Sequence, residues 1–305
     1  MPVWPFFTSS LVLDIRTNEI RWLKIRYGRQ RIVEDFGIIP WRGSLEESHS
    51  WGELTAALQL FVQAHRLQQL ATAIALPMHA VFSKRIQLSA SLTEQELQEE
   101  VYAHIQRDLL GMDEQVSIDF SILDSDVYVK HILVVAAKKD YLSHYVGVIN
   151  QAGLQVKVVD VDGYALVRAV SYVSALSSEM TDAIAVFDLC HSGFMLVVFQ
   201  QQYIVFTQRE DLAGRDVYLQ IKQALQSYAT TCRYAPIQQL ILCGTHIQCE
   251  EIRDFIAKEF AFSVSFLSAF PRIPIAAHVD LQAWQNRLPD LLVCYGLAMR
   301  KRILW

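Results

Sequence analysis

Two aspartates stand at the ends of apolar runs. Leu11-Val12-Leu13-Asp14-Ile15 is followed by the polar turn Arg16-Thr17-Asn18-Glu19, and Ala185-Val186-Phe187-Asp188-Leu189 by Cys190-His191-Ser192-Gly193. After each turn comes an apolar strand, a turn bearing Gly or Gln, and a third strand. A strand-end Asp holds Mg²⁺, normally through water, and the backbone N–H groups of a following turn form a nest for phosphate oxygens. The plainer use of the same residues is turn initiation, in which the Asp side chain bonds its own backbone. That the whole pattern occurs twice favours a shared origin, and internal similarity fixes architecture before anything else does. It implies two related α/β lobes with a cleft between them.

Other constellations are weaker. Cys243, His246 and Cys249 have a C-x₂-H-x₂-C spacing that supplies three zinc ligands, with His191 as a fourth. Structural zinc pairs sit on knuckle loops, whereas Cys243 ends an apolar strand, so buried packing is the better reading. Asp160 and Asp162 precede a helical pattern and would cap it. No nucleophile elbow or Walker sequence occurs. Trp4, Phe6 and Phe7 make an aromatic arm, and Ile303-Leu304-Trp305 follows Arg300-Lys301-Arg302. Such ends suit a membrane interface, but more often they pack back on the domain.

These residues need elements to hold them. Periodicity predicts strands over 11–15, 20–25, 31–39, 71–76, 116–122, 131–137, 155–159, 183–189, 194–199, 203–208, 239–243 and 262–267. It predicts helices over 51–65, 138–151, 164–173 and 291–301, with others around Val217 and Ile252. Thr93-Glu94-Gln95-Glu96 is a capping box that opens a helix carrying Leu97, Val101, Ile105 and Leu109 on one face. Gly153 is placed to end a helix. Residues 174–182, small and polar, mark a boundary between lobes, and 271–289 reads as irregular.

The 305 residues are 52% hydrophobic and 19% charged, with a net charge of −5. That excludes a disordered chain, and the absence of a basic excess argues against nucleic acid as a partner. The five cysteines, an odd number with no leader sequence in view, read as reduced cytoplasmic thiols. No apolar run is long enough to span a bilayer.

Four segments carry a family resemblance. They are 11–15; Val158-Val159-Asp160-Val161-Asp162-Gly163-Tyr164-Ala165-Leu166; 185–189 with Gln208-Arg209-Glu210 and Gly214-Arg215-Asp216; and Tyr295-Gly296-Leu297-Ala298-Met299-Arg300. Together they resemble the type IV pilus assembly PilM family, relatives of the cell-division protein FtsA in the actin, sugar-kinase and heat-shock ATPase superfamily. The resemblance covers nearly the whole chain. It implies an α/β, actin-like ATPase fold of two related lobes with an FtsA-like inserted subdomain. The expected divisions are 1–80 (start of lobe 1), 81–155 (insert and return), 156–180 (closing helix of lobe 1) and 181–305 (lobe 2). It also implies a site for ATP and Mg²⁺: Asp14 and Asp188 on the metal, and Arg16, Thr17, Asn18, Asp162, Ser192, Gly193, Gly214, Gly244 and Thr245 around the nucleotide.

Departures from the family pattern point to a weakened nucleotide site and no turnover. The first phosphate turn is bulky and acidic where the family has small residues, unless Arg16 turns inward to pair with a polyphosphate. Asp162 stands in place of Glu. The adenosine motif, Cys243-Gly244-Thr245, keeps one of two adjacent glycines. The partner implied is the short cytoplasmic N-terminal peptide of PilN, held in a groove bordered by 76–88 and 116–122, with other inner-membrane alignment proteins and self-association as further expectations. The protein would then be cytoplasmic and peripheral to the inner membrane. The rivals are an ATPase or sugar kinase of the same superfamily, and the cytoplasmic part of a type II secretion protein of the GspL kind, which an expected lack of any membrane span disfavours.

Overall fold

The run Leu11–Leu13 lies at the centre of a sheet because every one of its side chains is buried. A computed structural model describes residues 8–45, 50–109, 115–174, 182–190, 192–201, 203–212, 214–231, 236–244, 249–260, 262–267, 273–284 and 286–300. The chain divides into two compact units, Leu76–Val148 and the remainder.

The larger unit holds two sheets. In the first, β1 (Thr8–Arg16), β2 (Glu19–Tyr27) and β3 (Ile32–Pro40) form an antiparallel meander. Helix α1 (Ser50–Ala64) follows, then β4 (Ala71–Leu76), which pairs parallel to β1. The inserted unit contributes β5 (Val81–Ser89), α2 (Glu94–Asp108), β6 (Val116–Ser125), β7 (Val129–Lys138) and most of α3 (Lys139–Gln151). The chain then adds β8 (Gln155–Val161) beside β4, giving the order β3-β2-β1-β4-β8, and continues into α4 (Asp162–Val173).

The second sheet repeats the first. A meander of β9 (Ala183–Leu189), β10 (Gly193–Gln200) and β11 (Tyr203–Asp211) is followed by α5 (Val217–Thr231) and β12 (Ile237–Gly244), which pairs parallel to β9. Helix α6 (Cys249–Glu259) leads to β13 (Ser263–Phe266), and the order is β11-β10-β9-β12-β13. The two Asp-ended runs are thus the central strands of twin sheets. Strand β9 is buried throughout, as a strand covered on both faces must be. The chain closes with α7 (Leu281–Trp284), a 3₁₀ turn (Leu288–Leu291) and α8 (Leu292–Ala298).

One core cluster takes Val12, Leu23 and Ile25 from the first sheet, Val186, Val197 and Phe199 from the second, and Leu166, Val170, Leu292 and Tyr295 from α4 and α8. The two sheets therefore share a single hydrophobic interior. A second cluster packs α5 and α6 against the other face of β9 and β10 through Phe187, Leu196, Ile221 and Ile252.

The inserted unit is a three-stranded sheet, β5-β7-β6, with α2 laid on one face. Ile86, Ile132, Val134 and Ala136 meet Leu97, Val101 and Ile105 there. The capping box forms as the sequence predicts. The Glu96 amide donates to Thr93 Oγ1 at 3.3 Å, and the Thr93 amide donates to Glu96 Oε2 at 2.9 Å.

Two expectations are corrected. Residues 271–289 are not wholly irregular, since α7 and the start of the 3₁₀ turn fall within them. Helix α4 begins at Asp162 rather than Tyr164, with Val161 at its N-cap. Neither Asp160 nor Asp162 is that cap. No described helix is long and apolar enough to cross a membrane. The aromatic N-terminal arm and the segment 301–305 lie outside the described residues, as does most of the proposed lobe boundary.

Candidate functional site

Pairing within the first hairpin decides which side chains meet. A two-residue turn, Thr17-Asn18, with Asn18 at φ 65°, sets Arg16 opposite Glu19 and Asp14 opposite Arg21. Directly opposed residues share a face, so Asp14 and Arg21 point to the same side of the sheet. The turn is fastened from outside. The Asn18 amide donates to Gly43 O at 3.0 Å, and Trp41 Nε1 donates to Arg16 O at 2.7 Å.

Arg16 turns inward, but toward carboxylates of the protein. Its Nε donates to Asp14 Oδ2 at 2.7 Å and its Nη2 donates to Asp188 Oδ2. One guanidinium therefore joins the two strand-end aspartates of the twin sheets. All three residues are buried. Burial by itself lowers the Arg16 pKa, but Asp14 and Asp188 outweigh it and hold the guanidinium well above its ordinary value.

A second buried arginine backs the first. Arg21, with no exposed surface, donates from Nε to Glu19 Oε1 at 2.7 Å and from Nη1 to Asp290 O at 2.8 Å. Its Nη1 also stands 3.8 Å from Asp188 Oδ1, an oxygen that makes no hydrogen bond. Arg287 Nε donates to Asp290 Oδ2 at 2.7 Å, and its Nη2 to Glu19 Oε2 at 3.2 Å. Burial opposes the Glu19 charge, yet Arg21 more than compensates and lowers its pKa. Four carboxylates, Asp14, Glu19, Asp188 and Asp290, thus alternate with three guanidiniums.

The remaining predicted residues fall around this cluster. Asp162 opens α4, where its Oδ1 accepts the Gly163 amide at 2.6 Å and its Oδ2 lies 3.7 Å from Arg209 Nη1. Burial pushes its pKa up to about 6, Arg209 opposes the rise, and Asp14 adds to it. Asp160 pairs instead with Arg168 at 3.0 Å and Arg300 at 3.1 Å. Ser192 and Gly193 occupy the second hairpin, where the Cys190 and Gly193 amides donate across their own turn. Gly244 ends β12 opposite Leu189, at φ 90°, where an added Cβ would lie 1.8 Å from Leu189 O. Only glycine fits there. Thr17 lies in the first turn and Gly214 in the loop before α5, while Thr245 lies outside the described residues.

Cys243, one residue before Gly244, is a buried core thiol donating to Phe187 O at 3.3 Å. His191 and His246 lie outside the described residues. Among the described residues no group of three or more His, Cys, Asp or Glu is arranged to hold a metal ion.

As they stand, the residues do not fit Mg²⁺. A small dication needs near-octahedral oxygens at about 2.0–2.1 Å. The two aspartates that would supply them each give an oxygen to Arg16, and the Asn18, Cys190 and Gly193 amides are spent within the protein. Reasoning from sequence passed over Arg21, Arg287 and Asp290, and took Glu19 only as an acidic residue of the first turn. Arg21 was within reach of it, because a two-residue turn at 17–18 fixes the register that places Arg21 beside Asp14.

Twin five-stranded sheets of one order, with the inserted unit between β4 and β8, make this an actin-like α/β fold. The chain belongs to the type IV pilus assembly protein PilM family, whose pattern it matches over residues 13–218 and 214–302. It is similar to the solved structure of a PilM-PilN type IV pilus biogenesis complex at 15% identity, over 95% of this chain and 98% of that one, with a TM-score of 0.77. It is also similar to the cytoplasmic domain of EpsL, an inner-membrane component of the type II secretion system of Vibrio cholerae. That match has 11% identity, 98% coverage of each chain and a TM-score of 0.51.

Proposed function

We propose that this chain is a cytoplasmic, non-catalytic scaffold of type IV pilus assembly that is held at the inner membrane by the N-terminal cytoplasmic peptide of PilN. The observation that carries the reading is family membership over almost the whole chain, matched by the fold of the PilM-PilN complex. The same membership favours pilus assembly over type II secretion. Strands β5 and β6 are the edges of the inserted sheet. An edge strand offers unpaired backbone groups to an extended peptide, and β6 adds the half-exposed Ile122 as a side-chain contact. An ATPase or sugar kinase needs carboxylates free for metal or for a water, whereas Asp14 and Asp188 both serve Arg16. Other alignment proteins of the inner membrane, and further copies of this chain, are the remaining expected partners.

The test is titration of the full chain with a synthetic peptide of the PilN cytoplasmic N-terminus, read by calorimetry. Saturable binding is expected, weakened at least tenfold by Ile122→Asp. An absence of binding by the unaltered chain overturns the reading.

A further inference from the structure

The group between the two hairpins has the anionic walls of a metal site and a different occupant. Asp14 and Asp188 come from strands far apart in sequence that hold equivalent places in the twin sheets. Between them stands a planar fork whose N–H groups reach one oxygen of each. A guanidinium is suited to this: it stays charged at every working pH, and it binds two carboxylates at once with fixed geometry. A dication arriving here would face Arg16 directly and Arg21 behind it, both buried and both positive. A polyphosphate would find the amides of Asn18, Cys190 and Gly193 already donating within the protein.

We propose that Arg16 is a built-in counter-ion that takes the place of a divalent cation between Asp14 and Asp188, so that the twin hairpins are joined without metal or nucleoside triphosphate. The clasp is permanent, because its cation is part of the chain. This inference is independent of peptide binding, and either can fail without the other.

The test is thermal unfolding of the full chain, unaltered and as Arg16→Ala. A ligand present at 100 times its dissociation constant raises the midpoint of a chain this size by about 4 °C. The unaltered chain is expected to move by less than about 1 °C with Mg–ATP. Arg16→Ala removes the cation and opens space between two buried carboxylates. Its midpoint is expected to fall and then to recover, in part, with millimolar ethylguanidinium or Mg²⁺, neither of which shifts the unaltered chain. Mg–ATP stabilisation of the unaltered chain overturns the proposal, as does an Arg16→Ala midpoint equal to wild type. Should Arg16→Ala fail to fold, Mn²⁺ binding to the unaltered chain in the presence of ATP, followed by electron paramagnetic resonance, decides the matter. A free-ion spectrum supports the clasp, and one tightly held Mn²⁺ per chain refutes it.

Discussion

Gly296 is the point at which α8 crosses α4, and its replacement by alanine should separate the two helices. A Cβ on Gly296 would lie 1.8 Å from Ala165 O and 2.5 Å from its carbonyl carbon, where real Cβ contacts are at least 3.0 Å. The backbones must therefore part by about 1.2 Å. Both neighbours are backbone atoms, so no side chain can swing aside. Overpacking of this kind costs about 1–3 kcal/mol. The shift also strains the bond from Arg168 Nη1 to Gly296 O at 2.8 Å, and a charged donor of that sort contributes about 1.5–3 kcal/mol. Higher helix propensity returns about 1 kcal/mol, leaving a net loss of about 1.5–5 kcal/mol. Gly52→Ala in α1, within the larger unit, is the control: nothing lies within 4 Å of its Cβ, and a gain of about 0.5–1 kcal/mol is expected. Urea unfolding followed by tryptophan fluorescence suits the measurement. All six tryptophans lie outside residues 76–148, so the signal reports the larger unit alone. A Gly296→Ala midpoint within about 1 kcal/mol of wild type would show that the crossing is not close-packed and would refute the reasoning.

Two further outcomes are expected. Asp162 carries a pKa of about 6 against an ordinary 3.8, so the folded chain binds its proton more tightly than the unfolded one. Its contribution to stability is complete below the ordinary value and is lost as pH rises through about 6, a loss of up to about 3 kcal/mol. Arg209, Asp14 and Arg16 are among the charges it faces. Asp162→Asn should flatten this part of the pH profile, and parallel profiles for the two proteins would contradict the assignment. Thr93→Ala removes half of the capping box on α2 and should cost about 0.5–2 kcal/mol. Circular dichroism of the unfolding should register that loss, while the tryptophan transition stays where it was.

The hairpins were legible because each central strand is a run of buried apolar residues stopped by an aspartate, a pattern set by local chemistry. So were the capped helix, the inward face of β6 at Val116, Ile118 and Phe120, and Gly153, which takes up a φ of 99° after α3. The stretch 271–289 was not legible, because its short elements are shaped by distant partners: Ile275 bridges to Val33, and Trp284 packs on Phe36. Asp162 shows a similar limit. Its side chain bonds Gly163 within α4 rather than capping from outside, since the strand before it runs straight into the helix. At the site, both aspartates were visible, whereas an inward Arg16 was expected only as a partner for a polyphosphate. The partner of Arg16 was not visible, because Asp188 lies 172 residues away and no local pattern encodes that meeting.

The buried cluster is a poor device for stability. Removing ions from water costs several kcal/mol each, and well-packed apolar residues of similar volume serve as well or better. What the arrangement supplies is register, since a guanidinium fork bonded to Asp14 and Asp188 is satisfied in only a narrow range of positions of one hairpin relative to the other. A metal would impose similar register, but its occupancy would follow its concentration, and with it the coupling of the lobes. A side chain has no such dependence. A ligand moves a conformational equilibrium only through a difference in affinity between its states. On the proposal that Arg16 supplies the cation, that difference comes from elsewhere on the surface. For the scaffold proposed above, that source is the protein that docks on it.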